Sequence, residues 1–352
     1  MKRVTVEEIA EKVGVSKGLV SRALTGKLNV SDKVRDEITR TALAMGYDFG
    51  RLRSNNRKRS KCVLVMSSNM LLKEEYWQPI IQAIISTLDE AHINLEYFIY
   101  DEKNYTRDDI SRLKSLNASG YFFMHNNPRE LLEAVESTNR TVVVVDPKTV
   151  QTGKHLQVKY NNFNSFYEMT SRLIEKGHRH FMFYGPLGSI ASFNEREQGV
   201  VTCVRDHTEM QTSVDEVLFS NESGNYADNE RFEKCLKAHP EITAIFCAND
   251  IIAMNAKLSI ERLGKKVPDD YSLVGFDNIR ESGEDNIDLT TVNVPRTELG
   301  CEAARYLIKH ISNQQIRYSQ IVIDCEIVER GSVKQLLGKE RTGAKNGKNN
   351  RK

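Results

Sequence analysis

The sequence predicts a small all-α domain at the N-terminus, followed by a larger α/β body built from two doubly wound lobes with parallel sheets. Three patterns predict this fold class. Residues 1–47 carry short helical apolar repeats, residues 62 onward alternate short apolar runs with helix-length segments, and the alternation occurs twice. A length of 352 residues also exceeds the usual size of one domain, so several domains are expected.

The N-terminal domain, residues 1–47, contains three short amphipathic patterns. The first covers Thr5 to Val13, and Ser16 is a favourable N-cap for a second helix. Ser31 is expected to cap a third helix, which ends before Gly46. The inward-facing positions of the three helices are Ile9, Ala10 and Val13, then Val20, Ala23 and Leu24, and finally Val34, Ile38, Ala42 and Met45. A helix, a tight turn, a second helix and a bracing third helix are therefore predicted.

The body, residues 62–337, is predicted from its apolar runs. The first lobe has strands at CVLVM (62–66), LEYFIY (95–100), GYFFM (120–124) and TVVVV (141–145), with helices near 76–91, 107–116 and 129–138. The second has strands at HFMFY (180–184), VLFS (217–220), AIFC (244–247) and YSLVGF (271–276), with helices near 163–176, 194–207, 229–238 and 249–263. Short apolar runs joined by helices indicate parallel sheets covered on both faces.

Charge is distributed unevenly along the chain. Residues 1–61 hold 15 Lys or Arg and 7 Asp or Glu, and the tail at 338–352 holds 6 and 1. The body between them carries a net charge of −11, although the whole chain is only +2. A basic end on an acidic body predicts a polyanionic partner at that end. The basic segment 48–61 is interpreted as a linker and the tail as disordered.

Several function classes are disfavoured by what the sequence lacks. No run of 18 apolar residues occurs, and the charged N-terminus is unlike a secretion signal, so a cytoplasmic protein with no membrane partner is expected. The cysteines, Cys62, Cys203, Cys235, Cys247, Cys301 and Cys325, form no CxxC pair, which argues against zinc and disulfides. GPLGS (185–189) lacks phosphate-loop spacing, His178 and His180 alternate along a strand, and no catalytic motif is found. Neither a cofactor, a metal nor an enzyme activity is therefore expected.

The segment VSKGLVSRAL (15–24) has the chemistry of a DNA-recognition helix. In a helix-turn-helix the start of the second helix enters the major groove, where side chains meet base edges and hydroxyls reach phosphates. Lys17, Gly18 and Arg22 are expected to face the bases, and Ser16 and Ser21 the backbone. The alternative is an ordinary surface helix with a serine cap.

The head and the body both resemble the lactose and galactose repressor (LacI/GalR) family. VTVEEIAEKVGVSKGLVSRALTGKLNVSDKVRDEITRTALAMGY resembles the family's DNA-binding headpiece, with Leu19 and Thr25 as small departures. LIEKGHRHFMFYG, ANDIIAMNA, VPDDYSLVGFDN, LTTVNVP and VERGS resemble family landmarks and follow in family order. The resemblance covers about residues 4–333. It implies a periplasmic-binding-protein-like core that holds a small effector between its lobes.

By this resemblance, the protein is expected to be a sequence-specific transcriptional regulator, of the repressor type. It would bind a pseudo-palindromic operator in double-stranded DNA as a homodimer or tetramer, under control of a carbohydrate-type effector. The DNA-binding residues are then Thr5, Ser16, Lys17, Gly18, Ser21, Arg22, Asn29, Arg51, Arg53, Asn56 and Arg57. A sugar-binding or transport component with the same core is the alternative, and a Rossmann-type enzyme is a third, for which catalytic residues are missing.

Effector-binding residues are expected beyond the carboxyl ends of the strands, where open α/β sheets bind ligands. By resemblance, Asp146, Arg196, Asn249 and Asp277 hold the effector, and Trp77 and Tyr226 supply apolar surface. Core packing is the alternative for the two aromatic residues, and helix capping is the alternative for strand-end carboxylates such as Asp250. The sequence departs from the family at residues 160–162, where an Asp-containing turn is common.

The linker departs most from the family. Family members insert a leucine from this segment into the minor groove, and the equivalent position here is Asn56. Five Arg or Lys lie between Arg51 and Arg59, so the segment is expected to grip DNA mainly by charge. The alternative is that Leu52 serves as the wedge after a shift of one helical turn.

Overall fold

The computed structural model describes residues 4–24, 30–47, 60–72, 74–125, 128–149, 155–186, 190–219, 228–283, 287–312 and 319–336. Contacts divide the chain into two compact units, Met1–Ser60 and Lys61–Lys352. The tail at 338–352 and all but the last two residues of the predicted linker lie outside the described residues. Among the residues described, no helix combines the length and the apolar character needed to cross a membrane.

The described residues of the N-terminal unit, 4–24 and 30–47, form three helices, α1 (Val6–Val13), α2 (Lys17–Leu24) and α3 (Asp32–Ala44). Thr5 and Glu8 form a reciprocal capping box at the start of α1. The Ser16 hydroxyl accepts a hydrogen bond from the Leu19 amide at 3.2 Å, as its N-cap position predicts. Ser31 does occupy the N-cap of α3, but its side chain makes no capping bond, so that part of the prediction is wrong.

The helices enclose a small apolar core of six buried residues. These are Ile9, Ala10, Val20, Ala23, Ile38 and Ala42, and residues from all three helices contribute. The other predicted inward positions, including Val13, Leu24 and Met45, are partly buried at the edge of this core. The helical apolar period therefore identified the correct faces, because each helix can bury only one stripe.

The first lobe is built on a six-stranded parallel sheet. Its strands are β1 (Lys61–Ser67), β2 (Asn94–Tyr100), β3 (Gly120–Met124), β4 (Thr141–Val145), β5 (Leu156–Tyr160) and β11 (Gln320–Ile323), in the order β11-β5-β4-β3-β1-β2. Its helices are α4 (Glu74–Glu90), α5 (Arg107–Ser115), α6 (Arg129–Glu136) and α11 (Arg296–Ile311). Gly300 lets α11 approach α4 closely, because an added Cβ would lie 2.3 Å from the Ile80 carbonyl oxygen.

The second lobe has a four-stranded parallel sheet and a separate antiparallel pair. Its strands are β6 (His180–Pro186), β7 (Ser213–Phe219), β8 (Ala244–Cys247) and β9 (Ser272–Val274) in the order β7-β6-β8-β9, with β10 (Thr291–Asn293) paired to β12 (Glu326–Val328). Its helices are α7 (Asn162–Glu175), α8 (Ala191–Asp206), α9 (Asn229–Ala238) and α10 (Asp250–Arg262). The predicted parallel sheets are thus present, while the antiparallel pair was not predicted.

The chain passes between the lobes three times. It leaves the first lobe after β5, returns between β10 and α11, and crosses again between β11 and β12. β5, β10, β11, β12 and α11 were not among the predicted elements. In β5 buried and half-buried residues alternate, so its pattern is that of an exposed strand although it pairs on both sides.

Candidate functional site

Both sheets have a topological switch point, where consecutive connections leave in opposite directions. In the first lobe β1 lies between β2 and β3, and in the second lobe β6 lies between β7 and β8. Ligands of doubly wound sheets bind beyond the carboxyl ends of the strands at this point. Side chains from both lobes converge there, and we call Tyr76, Asp146, Tyr160, Arg196, Asp277 and Arg296 the interlobe cluster.

Arg196, on α8, is the best-connected member of the interlobe cluster and is only 3% exposed. Its Nε donates to Asn162 Oδ1 at 3.0 Å and its Nη1 donates to the Ala248 carbonyl oxygen at 2.7 Å. Its Nη2 lies 3.6 Å from Asp277 Oδ1, and the guanidinium carbon lies 3.5 Å from the centre of the Phe276 ring. The guanidinium is therefore held in one orientation by four neighbours.

Asp146 follows β4 and is buried in a left-handed backbone conformation, with φ of 47°. Its Oδ2 accepts a hydrogen bond from the Tyr76 hydroxyl at 2.9 Å, and its carbonyl oxygen lies 3.0 Å from His125 Nδ1. Burial raises the pKa of the Asp146 carboxyl, whereas the Tyr76 hydrogen bond and the charge of Arg196 oppose this rise. A carboxylate so placed is a strong acceptor for ligand hydroxyls.

Asp277 follows β9 and links the lobes through its backbone. Its amide donates to the Val292 carbonyl oxygen at 2.9 Å. Its own carbonyl oxygen accepts a hydrogen bond of 2.5 Å from Nη2 of Arg296, which begins α11 in the other lobe. The backbone of Asp277 has φ of 107°, a conformation that a non-glycine residue adopts only where its surroundings impose it.

Tyr160, the last residue of β5, was not among the predicted site residues. It is completely buried, yet within the described residues its hydroxyl has no hydrogen-bond partner. The Nε of Arg296 is likewise buried without a partner among those residues. Burial and then the charge of Asp146 raise the pKa of the Tyr160 hydroxyl well above its usual value, so it is protonated. Unpaired buried polar groups that face the same cluster indicate a polar ligand.

Three other predicted effector residues fall differently. Trp77 is 4% exposed and belongs to the apolar core. The centre of its ring lies 4.7 Å from the centre of the Tyr76 ring and 5.1 Å from that of His125. The Asn249 side chain accepts from the Ile252 amide at 2.9 Å and so caps α10. Tyr226 lies outside the described residues.

The strand-end carboxylate of Asp250 supports the neighbouring loop and does not cap a helix. It is fully buried, accepting from the Thr291 hydroxyl at 2.5 Å and from the Ile279 amide at 3.0 Å. Burial, followed by the negative charge of Asp277, raises the pKa of Asp250 to about 7. The capping alternative for this position is therefore wrong, since Asn249 performs the capping.

The predicted DNA-reading residues of α2 are accessible in the N-terminal unit. Lys17, Gly18 and Arg22 are exposed, and a Cβ added to Gly18 would meet open space. Lys17 forms an ion pair with Glu7 of α1. The Thr5 hydroxyl is engaged in the capping box, and Ser21 is half-buried. The remaining predicted DNA contacts, Asn29, Arg51, Arg53, Asn56 and Arg57, lie outside the described residues.

Comparison with known proteins covers nearly the whole chain. A family model described as a periplasmic binding protein-like domain matches residues 170–333. The transcriptional repressor PurR of Mannheimia succiniciproducens is 24% identical over 348 residues, covering 94% of this chain and 99% of the relative. The repressor CytR of Escherichia coli K12 is 26% identical over 343 residues, covering 94% and 97%.

Solved structures share the fold over the same length. A complex of the regulator CelR with cellobiose has a TM-score of 0.64 at 23% identity, covering 94% of this chain and all of the other. The lac repressor dimer bound to operator and the anti-inducer ONPF also has a TM-score of 0.64, at 22% identity and 95% coverage.

The matched relatives span both the headpiece and the body, and they are transcriptional regulators rather than enzymes or transport proteins. A helix-turn-helix unit and a two-lobed parallel α/β body occur in the same order here. Over the headpiece and the body alike, the chain is therefore similar to DNA-binding transcriptional regulators of the LacI/GalR type.

Proposed function

We propose that this regulator is a repressor that binds a pseudo-palindromic operator as a dimer, and that a small carbohydrate in the interlobe cluster controls its operator affinity. The observation that carries the effector assignment is the completely buried Tyr160 hydroxyl, which has no partner among the described residues. The proposed location of the regulator is the cytoplasm, because its operator lies on the chromosome there.

The charge balance of the interlobe cluster favours a neutral, hydroxyl-rich ligand. Asp146 and Asp277 carry two negative charges, and Arg196 and Arg296 carry two positive ones. Carboxylates and guanidinium groups make two-pronged hydrogen bonds that suit adjacent sugar hydroxyls. Structurally similar regulators were solved with cellobiose and with ribose. Sugars and sugar derivatives are thus the first ligands to test.

The position of the cluster explains how a ligand alters the protein. Arg296 belongs to the first lobe and donates to the backbone of Asp277 in the second. A ligand that bonds to both sides adds contacts that depend on the spacing of the lobes. It shifts the conformational equilibrium by the difference in its affinity for the two lobe arrangements.

Operator reading is assigned to the start of α2. Lys17, Gly18 and Arg22 are exposed there, and the hydroxyls of Thr5, Ser16 and Ser21 contact the phosphates. The ion pair between Lys17 and Glu7 is exposed on both sides and is weak in water. Breaking this ion pair so that Lys17 can contact DNA therefore costs little free energy.

The linker contributes by charge. Arg51, Arg53 and Arg57 neutralise phosphates, and Asn56 stands where the family places its leucine wedge. An amide offsets less of the cost of unstacking a base step than an apolar wedge does. The proposed result is a small DNA bend and a steep dependence on salt.

The dimer is assigned to two exposed apolar surfaces of the body. Ile251 and Leu258, two turns apart on α10, are 42% and 55% exposed. Tyr97 and Ile99 project from the same side of β2, the edge strand of the first sheet, and are also exposed. Exposed apolar groups on a helix and on a sheet edge are features of association surfaces.

We predict that Arg22→Ala weakens operator binding by about 1–3 kcal/mol and relaxes the preference at one base pair, because a base-edge contact is lost. Affinities for a set of single-base operator variants measure this. Arg40→Ala, an exposed arginine on α3, is the matched control and leaves the sequence preference unchanged. Unchanged relative affinities in Arg22→Ala would contradict the assignment.

In the linker, Leu52→Ala is expected to be nearly silent, whereas Asn56→Leu increases DNA bending by supplying an apolar wedge. Bending is measured by fluorescence between dyes at the operator ends. Each phosphate contact removed from the linker lowers the logarithmic salt slope by about 0.9. Loss of bending in Leu52→Ala, with no gain in Asn56→Leu, identifies Leu52 as the wedge and overturns the charge-based proposal.

For the effector, a screen of sugars by thermal unfolding comes first, since a ligand at 100 times its Kd stabilises the protein by about 2.7 kcal/mol. Tyr160→Phe is then expected to weaken that ligand by about 0.5–1.5 kcal/mol while leaving the free protein at least as stable, because the hydroxyl lost was unpaired. Asp277→Ala abolishes the response to the ligand but retains DNA binding.

The effector prediction has two matched controls. Tyr121 is also buried, but its hydroxyl accepts from the Ala118 amide at 3.3 Å, so Tyr121→Phe lowers stability without changing ligand affinity. Asp270→Ala removes a carboxylate that is paired with Lys265 at the surface and leaves ligand binding intact. Unchanged ligand titrations in Tyr160→Phe and Asp277→Ala would exclude the interlobe cluster as the effector site.

For the dimer, Leu258→Asp is expected to weaken self-association at least tenfold, about 1.4 kcal/mol, because a charge would be buried at the interface. Sedimentation equilibrium measures this. Leu336→Asp, at a similarly exposed leucine elsewhere on the body, is the control. A wild-type monomer at micromolar concentration with operator present would contradict the dimer.

A further inference from the structure

We propose that Asp215, His239 and Glu241 form a binding site for a divalent transition-metal ion of the zinc class. Asp215 lies near the start of β7, His239 directly follows α9, and Glu241 lies in the turn before β8. All three are therefore at the amino-terminal edge of the second sheet. The interlobe cluster lies beyond the carboxyl ends of the same strands, so the metal site is separate from the effector site.

The spacing of the donor atoms matches a tetrahedral ion. His239 Nδ1 lies 3.2 Å from Glu241 Oε1 and 3.7 Å from Asp215 Oδ2, and the three donors all lie within 4.8 Å of one another. Zinc bonds to nitrogen and oxygen are about 2.0–2.2 Å long, which places neighbouring tetrahedral ligands about 3.3–3.6 Å apart. The two distances from His239 lie within a few tenths of an ångström of this range, and the two carboxylate oxygens, which lie within 4.8 Å of each other, would approach by about 1 Å at most to bind the ion.

Hydrogen bonding alone accounts for only part of this arrangement. One imidazole nitrogen carries at most one proton, and the 3.7 Å contact to Asp215 is beyond hydrogen-bond distance. Within the described part of the chain, the Asp215 carboxylate has no closer side-chain partner than His239. Two carboxylates thus approach a single nitrogen, and a shared cation satisfies all three groups at once.

The surroundings favour a borderline metal over magnesium or calcium. His239 supplies an imidazole nitrogen, and Asp215 and Glu241 each supply a carboxylate oxygen. An imidazole ligand suits zinc, whereas magnesium and calcium prefer oxygen ligands alone.

The partly exposed position leaves room for water to complete the coordination. An ion here would connect the segment between α9 and β8, which holds His239 and Glu241, to Asp215 of β7, 24 residues before His239. Binding to the folded state alone raises the unfolding temperature, and above the Kd the stabilisation grows with the logarithm of the metal concentration. The site therefore has a stability readout that is independent of sugar and operator.

The test uses the full chain, first treated with EDTA and then titrated with zinc chloride by calorimetry and thermal unfolding. We expect one zinc ion per chain, a raised unfolding temperature, and no comparable effect of magnesium or calcium. His239→Asn is expected to weaken binding at this site by at least about tenfold, and Glu241→Gln, at an exposed position, to do the same.

His92→Asn is the matched control, because His92 is exposed in a turn of the first lobe and has a positive φ that asparagine tolerates. It leaves zinc affinity and stoichiometry unchanged. Equal zinc binding by the wild type, His239→Asn and Glu241→Gln would show adventitious binding elsewhere and overturn the proposal. Zinc that binds without raising the unfolding temperature would also overturn it, since the ion would then not connect these elements.

Discussion

A buried guanidinium must be neutralised and hydrogen-bonded, and Arg196 has two hydrogen bonds and one ion pair, with groups from three separate segments. Asn162 follows the first crossover between the lobes, Ala248 ends β8, and Asp277 follows β9. Burying an unpaired charge costs several kcal/mol, so these three segments are bound to one geometry. This single side chain therefore fixes the positions of the second-lobe segments that border the interlobe cluster.

The groups of the cluster pair mainly with one another in the free protein. Tyr76 donates to Asp146, and Arg296 donates to the backbone of Asp277. The Tyr160 hydroxyl and the Nε of Arg296 are exceptions, because both are buried without a partner among the described residues. A ligand in this space would form bonds that the protein cannot form alone, which is the physical basis for differential affinity.

The N-terminal unit is stabilised differently from the body. Its core has six buried residues, and its helices depend on local devices such as the capping box of Thr5 and Glu8. A small core needs such support, since little apolar area is buried per residue. The exposed face of α2 is then free to carry functional residues, because Val20 and Ala23 are buried in the core and Leu19 and Leu24 pack at its edge.

The sequence by itself determined the features that depend on local chemistry. The faces of α1, α2 and α3, the Ser16 cap, the strands with continuous apolar runs and the family motifs were all readable, because short-range periodicity and turn residues encode them. Asp146, Arg196 and Asp277 were also identified, since a polar residue that ends a buried strand, or a family motif, is a local signal.

Only the tertiary structure decided what depends on residues distant in the chain. The alternation in β5 gave no apolar run, so its pairing became visible only in the sheet, and so did the Tyr160 hydroxyl, which has no partner in the described part of the chain. Asn249 rather than Asp250 caps α10, because the Asp250 carboxylate accepts a hydrogen bond from the hydroxyl of Thr291. Thr291 is 41 positions away in the chain, so this choice could not be read from local sequence. Asp215, His239 and Glu241 have no motif spacing, because β7 and α9 bring them together only after the second sheet has formed.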